Sequence, residues 1–197
     1  ADLVLLDGLE TCRADTVLKD GRPVDAARLA ERPRVDPQGY GAHDTVHFKG
    51  RETVSPGDLA KPAANGAVPV IRIVPGQIVT DYDTAELPVD AAGKLQPDPA
   101  QDVAKLVVVE RHGKTGNIGV GFVRGFGLTD GAIASTLAHD DHNVIAAGSD
   151  DAQLAVAINR VKDLGGGFVL VHGGEIAAEQ PLPIAGLMSD RPWEEVA

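Results

Sequence analysis

One cysteine, Cys12, in 197 residues excludes an intrachain disulfide framework and a cysteine-only metal site. It also has no neighbouring histidine to activate it as a nucleophile, so it reads as a small structural thiol. Aromatic residues make up only 4%, so a core must be built from Val, Leu, Ile and Ala. Basic side chains are outnumbered, 18 against 29 acidic ones, for a formal net charge of −11. That balance weighs against nucleic acid as a partner, because phosphate binding needs a basic patch to release counterions. No apolar run approaches the roughly 18 residues of a membrane span, and no basic-then-apolar leader opens the chain. G-x-S-x-G is absent, which leaves a hydrolase elbow unsupported. What is left after these exclusions is a soluble cytoplasmic protein with no membrane partner.

Hydrophobic residues reach 43%, enough for a folded core, while 23 Gly and 13 Pro point to many turns and short strands. Leu3 to Leu6 reads as a short buried strand. Lys19-Asp20-Gly21-Arg22, flanked by Val17-Leu18 and Pro23-Val24, is a hairpin signal. Two or three short strands bury too little to stand alone, so this opening segment predicts a missing partner and a longer parent chain. Residues 26–67 read as a loop-rich connector, interrupted by Pro33, Pro37, Pro56 and Pro62. From Val68 the pattern strengthens. Val68 to Val74 and Val103 to Glu110 read as strands, as do Ala132 to Leu137 and Asn143 to Ala147. Asp150 can cap a helix, with Gln153 placed to close a capping box. Leu154, Ala157, Ile158, Val161 and Leu164 then form a stripe of helical period that Gly165 stops. Phe168 to His172 and Glu175 to Glu179 form a hairpin about Gly173-Gly174. The fold class is α+β: a β-rich domain over 68–197 with at least one amphipathic helix, preceded by terminal strands over 1–25.

Polar chemistry concentrates in two places. His139-Asp140-Asp141-His142-Asn143 sets two imidazoles three apart among carboxylates, between two predicted strands. Such a loop can ligate a divalent ion or orient a substrate, and the alternative is a polar turn satisfying its own backbone. Glu110-Arg111-His112 closes a strand and leads into Gly113-Lys114-Thr115-Gly116-Asn117, a setting that can hold an anion or polar ring on backbone N–H groups. Its alternative is a sheet-edge loop with solvated charges. The order of a Walker A loop is missing. Gly119 and Gly121 give a G-x-G, but Phe122, Val123, Phe126 and Leu128 after them read as extended or irregular rather than helical, so dinucleotide binding is disfavoured. The glycines fit tight turns or close backbone approach better. His43 and His47 are four apart in a segment broken by Gly and Pro, and read as surface-loop residues.

One resemblance goes beyond these local readings. Val109 to His112, Thr115 to Gly119, Gly125 to Gly127, Gly131 to Thr136 and Ala138 to Asp140 with His142-Asn143 follow one another in a distinctive order. Asn159-Arg160, Gly165 to Gly167 and Leu182 to Asp190 continue it, and Ile73 to Thr80 and Pro97 to Pro99 precede it. Together, over roughly Val70 to Asp190, these blocks resemble the C-terminal domain of the adenine deaminases in the amidohydrolase superfamily. The strands within 1–25 resemble those that close the small β-sandwich of that superfamily.

The resemblance implies hydrolysis of adenine to hypoxanthine and ammonia in a barrel whose divalent metals, Mn or Fe with Zn as an alternative, activate water. It implies the barrel as an N-terminal partner, a homo-oligomer, and a C-terminal domain that is itself incomplete here. The barrel's metal ligands include a His-x-His pair, and this sequence contains none, so none of the primary ligands has a position to occupy and the fragment alone is expected to be inactive. What carries over is a supporting role for His139, Asp140 and His142, with Asn143, Glu110 and His112 as expected substrate-binding residues. Asp141 departs from the family, which usually has Ser there. The competing expectations are a structural or oligomerisation module and an independent ligand- or metal-binding domain.

Overall fold

The computed structural model describes residues 2–25, 27, 43–63 and 65–196. The chain divides into two compact units, Ala1–Asp36 and Pro37–Ala197. In the first, β1 (Leu3–Leu6), β2 (Ala14–Lys19) and β3 (Arg22–Pro23) form an antiparallel sheet in that order. The expected hairpin is present, with Lys19 opposite Arg22. The expectation of a buried strand for β1 is not met. Leu3, Val4, Leu5 and Leu6 are all exposed, because a three-stranded sheet of this size supplies no second layer to cover them.

The second unit is built on an eight-stranded sheet. Its strands are β5 (Val68–Ile73), β6 (Thr80–Ala85), β8 (Val103–Val109), β9 (Ile118–Arg124), β10 (Ala132–Ser135), β11 (Val144–Gly148), β12 (Gly167–His172) and β13 (Glu175–Pro181). Two short strands, β4 (Lys61–Pro62) and β7 (Lys94–Leu95), pair separately. The spatial order is β13-β12-β10-β11-β8-β9-β5-β6. All neighbours run antiparallel except β5 and β9. Central β8 explains why its sequence is nearly all apolar: Val103, Lys105, Val107 and Val109 are buried on one face, and Leu106 and Val108 are half-buried on the other. β12 alternates strictly, Val169 and Val171 inward and Phe168 and Leu170 outward.

Helix α1 (Asp151–Asp163) lies on the inward face. Its Leu154, Ile158 and Val161 are fully buried against β10, β11 and β12, each worth about 1.5–3 kcal/mol of transfer free energy. Asp150 caps it by accepting from the Gln153 N–H at 2.8 Å. The expected capping box forms only in part: the Gln153 amide donates to the carboxylates of Asp130 and Asp150 at 2.7 and 2.6 Å. Gly165, at φ +73°, ends the helix as expected, with N–H bonds from Gly165 to Lys162 O and from Gly166 to Val161 O. A short helical turn, α2 (Trp193–Val196), follows β13. No helix among the described residues is long and apolar enough to cross a membrane.

The connector read as loop over 26–67 is described only in part, since 26, 28–42 and 64 lie outside the described residues. Its described portion contributes to the core. Val46, Phe48, Val54 and Leu59 are buried against the sheet and α1. A 3-10 turn at Pro56–Leu59, closed by a reciprocal Ser55–Asp58 capping box, carries Leu59 inward.

Candidate functional site

Where β8 leaves the sheet, three charged residues follow an apolar run, and the middle one turns inward. Arg111 is only 2% exposed. Its guanidinium donates to the backbone carbonyl of His142, to Thr45 O and Oγ1 at 3.0 and 2.9 Å, and to Ala185 O at 2.9 Å. Burial lowers its pKa, but a guanidinium keeps its proton. Arg111 thus ties three separate segments to the end of β8. Around 45–47 the tie continues through the backbone: His47 N donates to Arg111 O at 2.7 Å, and Gly113 N donates to His47 O at 3.1 Å. At 184–188, Gly186 has φ +70°, and a Cβ there would sit 2.8 Å from Arg111 Nη1, so glycine is what lets the arginine lie flat.

Glu110 turns the other way and organises its own loop. Its carboxylate accepts from the backbone N–H groups of His112, Lys114, Thr115 and Gly116 at 2.6, 3.0, 2.9 and 3.1 Å. Burial pushes this carboxyl up, but the four donors prevail and hold it at about 2. A carboxylate so engaged is an anionic plug in a nest of N–H groups.

The third segment is the β10–β11 connection. Asp141 accepts from Asn143 N at 3.1 Å and from Asn143 Nδ2 at 2.8 Å, while Asn143 Oδ1 accepts from Arg111 N at 3.3 Å. His112 Nε2 lies 3.0 Å from Asp141 O. His142, at φ +50°, donates its N–H to Ala138 O at 2.6 Å. These bonds fix the loop's base and leave its tip free. His139 and Asp140 are exposed, with His139 Nδ1 4.0 Å from Asp140 Oδ1. The His139 and His142 rings meet edge to face, centroids 4.9 Å apart. His142 Nδ1 is buried and has no hydrogen-bond partner among the described residues, as is His43 Nε2.

The structure therefore brings all six residues expected at the site, Glu110, His112, His139, Asp140, His142 and Asn143, onto two adjoining loops. Glu110 and Asn143 spend their polar groups on the loops themselves. His139, Asp140 and His112 face solvent, where an imidazole beside a carboxylate can bond a polar ring or move a proton. No three His, Cys, Asp or Glu side chains among the described residues converge to hold a metal ion. The donor set does not fit a metal centre. Nothing in the sequence marks Arg111 as the partner of Thr45 and Ala185; the available signal is an arginine two residues beyond a run of valines.

Residues 77–197 match the adenine deaminase C-terminal domain family, and every candidate site residue falls within that span. The chain belongs to the adenine deaminase family. Over its whole length it is 46% identical to an adenine deaminase of Gluconobacter oxydans, 47% to one of Cereibacter sphaeroides and 48% to one of Methylobacterium nodulans. In each case it covers 34% of the relative, so the chain spans about a third of the length of the curated adenine deaminases it matches.

Proposed function

We propose that this chain is the C-terminal part of a cytoplasmic, metal-dependent, homo-oligomeric adenine deaminase. The whole protein hydrolyses adenine: water adds to the ring carbon bearing the amino group, that C–N bond breaks, and hypoxanthine and ammonia leave. The observation that carries the reading is identity near 46% along all of this chain to proteins named adenine deaminase. The metal, Mn or Fe with Zn as the alternative, is held by residues outside this chain, in the N-terminal barrel portion that is its partner.

Within that protein the two loops joined by Arg111 serve the substrate site. His139 and Asp140, exposed at the tip, and His142 beneath them support the chemistry, with His112 beside them as a polar contact for the purine. Glu110 and Asn143 act by holding these loops in shape, since their own donors and acceptors are already engaged.

The test is turnover by the full-length protein loaded with Mn²⁺ or Fe²⁺, read as ammonia and hypoxanthine formed from adenine. Both products in equal amounts are expected, and a loaded, folded protein that leaves adenine untouched rejects the reading. Residues 1–197 alone are expected to be inactive.

A further inference from the structure

The β10–β11 connection is held at both ends, and both holds reach the same turn. At its far end His142 O accepts from Arg111, whose guanidinium also bonds Ala185 O at 2.9 Å. At its near end stands Thr136, the first residue after β10 and fully buried. Its hydroxyl donates to Gly186 O at 2.5 Å and accepts from Gly167 N at 2.9 Å, while its own N–H donates to Gly167 O at 3.1 Å. A hydroxyl has one proton to give, and this one goes to the turn. Two successive carbonyls, Ala185 O and Gly186 O, are thus gripped by the cation beyond β8 and the hydroxyl beyond β10.

The turn itself is rigid. Residues 184–188 close on themselves through Ile184 N to Met188 O and Met188 N to Ile184 O, both at 3.1 Å. Ala185 stands at φ +57°, a left-handed conformation that a residue with a Cβ adopts only at a cost, so the bonds around it must hold it there. Gly166 backs onto the same turn. A Cβ on Gly166 would lie 2.4 Å from Gly186 Cα and 3.1 Å from Thr136 Oγ1, so backbone meets backbone at this point. Gly166 O also accepts from Leu182 N at 2.9 Å, just ahead of the turn. With Arg111, Gly166 and Thr136 all against it, the turn cannot shift without breaking buried hydrogen bonds.

We infer that Thr136 is a positioning residue for the deaminase reaction: with Arg111 it mounts both ends of the loop carrying His139 and His142 on the 184–188 turn. The inference rests on the proposed role of that loop at the substrate site and adds to it what sets the loop's place. Thr136 is wholly buried, so it acts through Gly186 and the loop and not on the substrate. The exposed tip at His139 and Asp140 follows three residues after Thr136 and depends on where the loop is pinned. Misplacing a catalytic group by about 1 Å costs on the order of 100-fold in rate, so a buried hydroxyl at the loop's entry has a long lever.

The experiment uses the full-length protein. Thr136→Val keeps the branched outline and loses the hydroxyl, and Thr136→Ser keeps the hydroxyl and loses a methyl. Kinetics with adenine and hydrogen exchange of the 138–143 peptide are read on the same samples. For Thr136→Val we expect kcat to fall at least about tenfold with KM within about threefold, and exchange in the loop to quicken at least about tenfold. Thr136→Ser should stay within about threefold of the parent in both readings. A Val variant that unfolds more easily but keeps its kcat and its loop exchange overturns the inference and leaves Thr136 a purely structural residue. A Ser variant that fails as Val does overturns it as well. If Thr136→Val does not fold, exchange in the unsubstituted protein under rising denaturant decides. There the N–H groups of His142 and Met188 should lose protection together, and either one opening without the other overturns the shared mount. Unsubstituted protein that leaves adenine untouched rejects the substrate, and the exchange readings then decide for or against Thr136 by themselves.

Discussion

The buried guanidinium of Arg111 hydrogen-bonds the backbone carbonyl of His142, while the Arg111 backbone N–H bonds the side chain of Asn143. One residue thus fixes both ends of the short segment that His142 begins. The exposed tip at His139 and Asp140 inherits its position from that anchor, because His142 N in turn donates to Ala138 O. A buried cation whose acceptors are carbonyl and hydroxyl oxygens is costly to desolvate, and its retention is accounted for by the three segments it ties together.

Replacing Arg111 with Lys keeps the charge but not the planar fork. A single ammonium cannot reach Thr45, Ala185 and His142 together, so buried carbonyls lose their donors. We expect Arg111→Lys to cost about 2–4 kcal/mol in equilibrium unfolding. In the full-length protein kcat/KM for adenine should fall at least about tenfold through displacement of the loop. Unchanged stability would remove the anchoring role.

Gly186→Ala tests the same anchor from the other side. The position combines φ +70° with a Cβ site 2.8 Å from Arg111 Nη1. Left-handed strain alone costs about 1 kcal/mol, and moving the arginine adds to it, so about 2–3 kcal/mol in total is expected. Gly21→Ala, also at positive φ but with nothing near its Cβ site, should cost only the strain. Equal losses at the two positions would show that the contact with Arg111 is immaterial.

What could be read from the sequence was whatever is local. The stripe of α1, its Asp150 cap, its Gly165 stop and the hairpins at Asp20-Gly21 and Gly173-Gly174 are all set by neighbours within a few residues. So is the clustering of His139 to Asn143. Arg111 was invisible as an anchor because its partners Thr45 and Ala185 lie 66 and 74 residues away. Val46, Phe48, Val54 and Leu59 show no period, so a segment that feeds the core read as plain loop. The glycines of β9 break the alternation of a strand, so that stretch read only as extended or irregular.

His139→Ala separates chemistry from structure at the loop tip. The His139 side chain is 82% exposed and its ring contact is the edge of His142, so stability should change by no more than about 0.5 kcal/mol. In the full-length enzyme we expect kcat/KM for adenine to drop about tenfold or more if the ring assists proton movement. Normal turnover would withdraw His139 from the site while leaving the family assignment intact.

Lys105, fully buried on β8, reaches the carboxylate of Asp151 at the start of α1 and, at 3.3 Å, the carbonyl of Leu59. Removing the anion strands a buried ammonium, so Asp151→Asn should cost about 3 kcal/mol. Lys105→Met removes the cation and fills its volume, while Asp151 keeps the favourable helix N-terminus. We expect that variant to stay within about 1 kcal/mol of the parent. Unfolding curves in which Lys105→Met is the worse of the two would contradict the account.

The acid limb of stability should belong in part to Glu110. Its carboxyl is held at about 2 against an ordinary value of 4.5, so the folded state binds its proton less readily than the unfolded chain does. A depressed carboxylate contributes stability that is fully present above the unfolded value and disappears as pH falls through the folded one. The window is therefore about pH 4.5 down to about pH 2. Glu110→Gln keeps the shape but gives up the charge that the four N–H groups of residues 112 and 114–116 converge on. At pH 7 the variant should be less stable by about 1 kcal/mol. Its deficit should shrink steadily below pH 4.5, as the unfolded chain's carboxyl takes up a proton that the native one still refuses, and level off near pH 2, where the native carboxyl protonates too. Hydrogen exchange of the 112–117 peptide, compared between the two proteins across that range, reads the effect directly. A deficit that stays constant with pH would show that the loop answers to the shape of residue 110 and not to its charge.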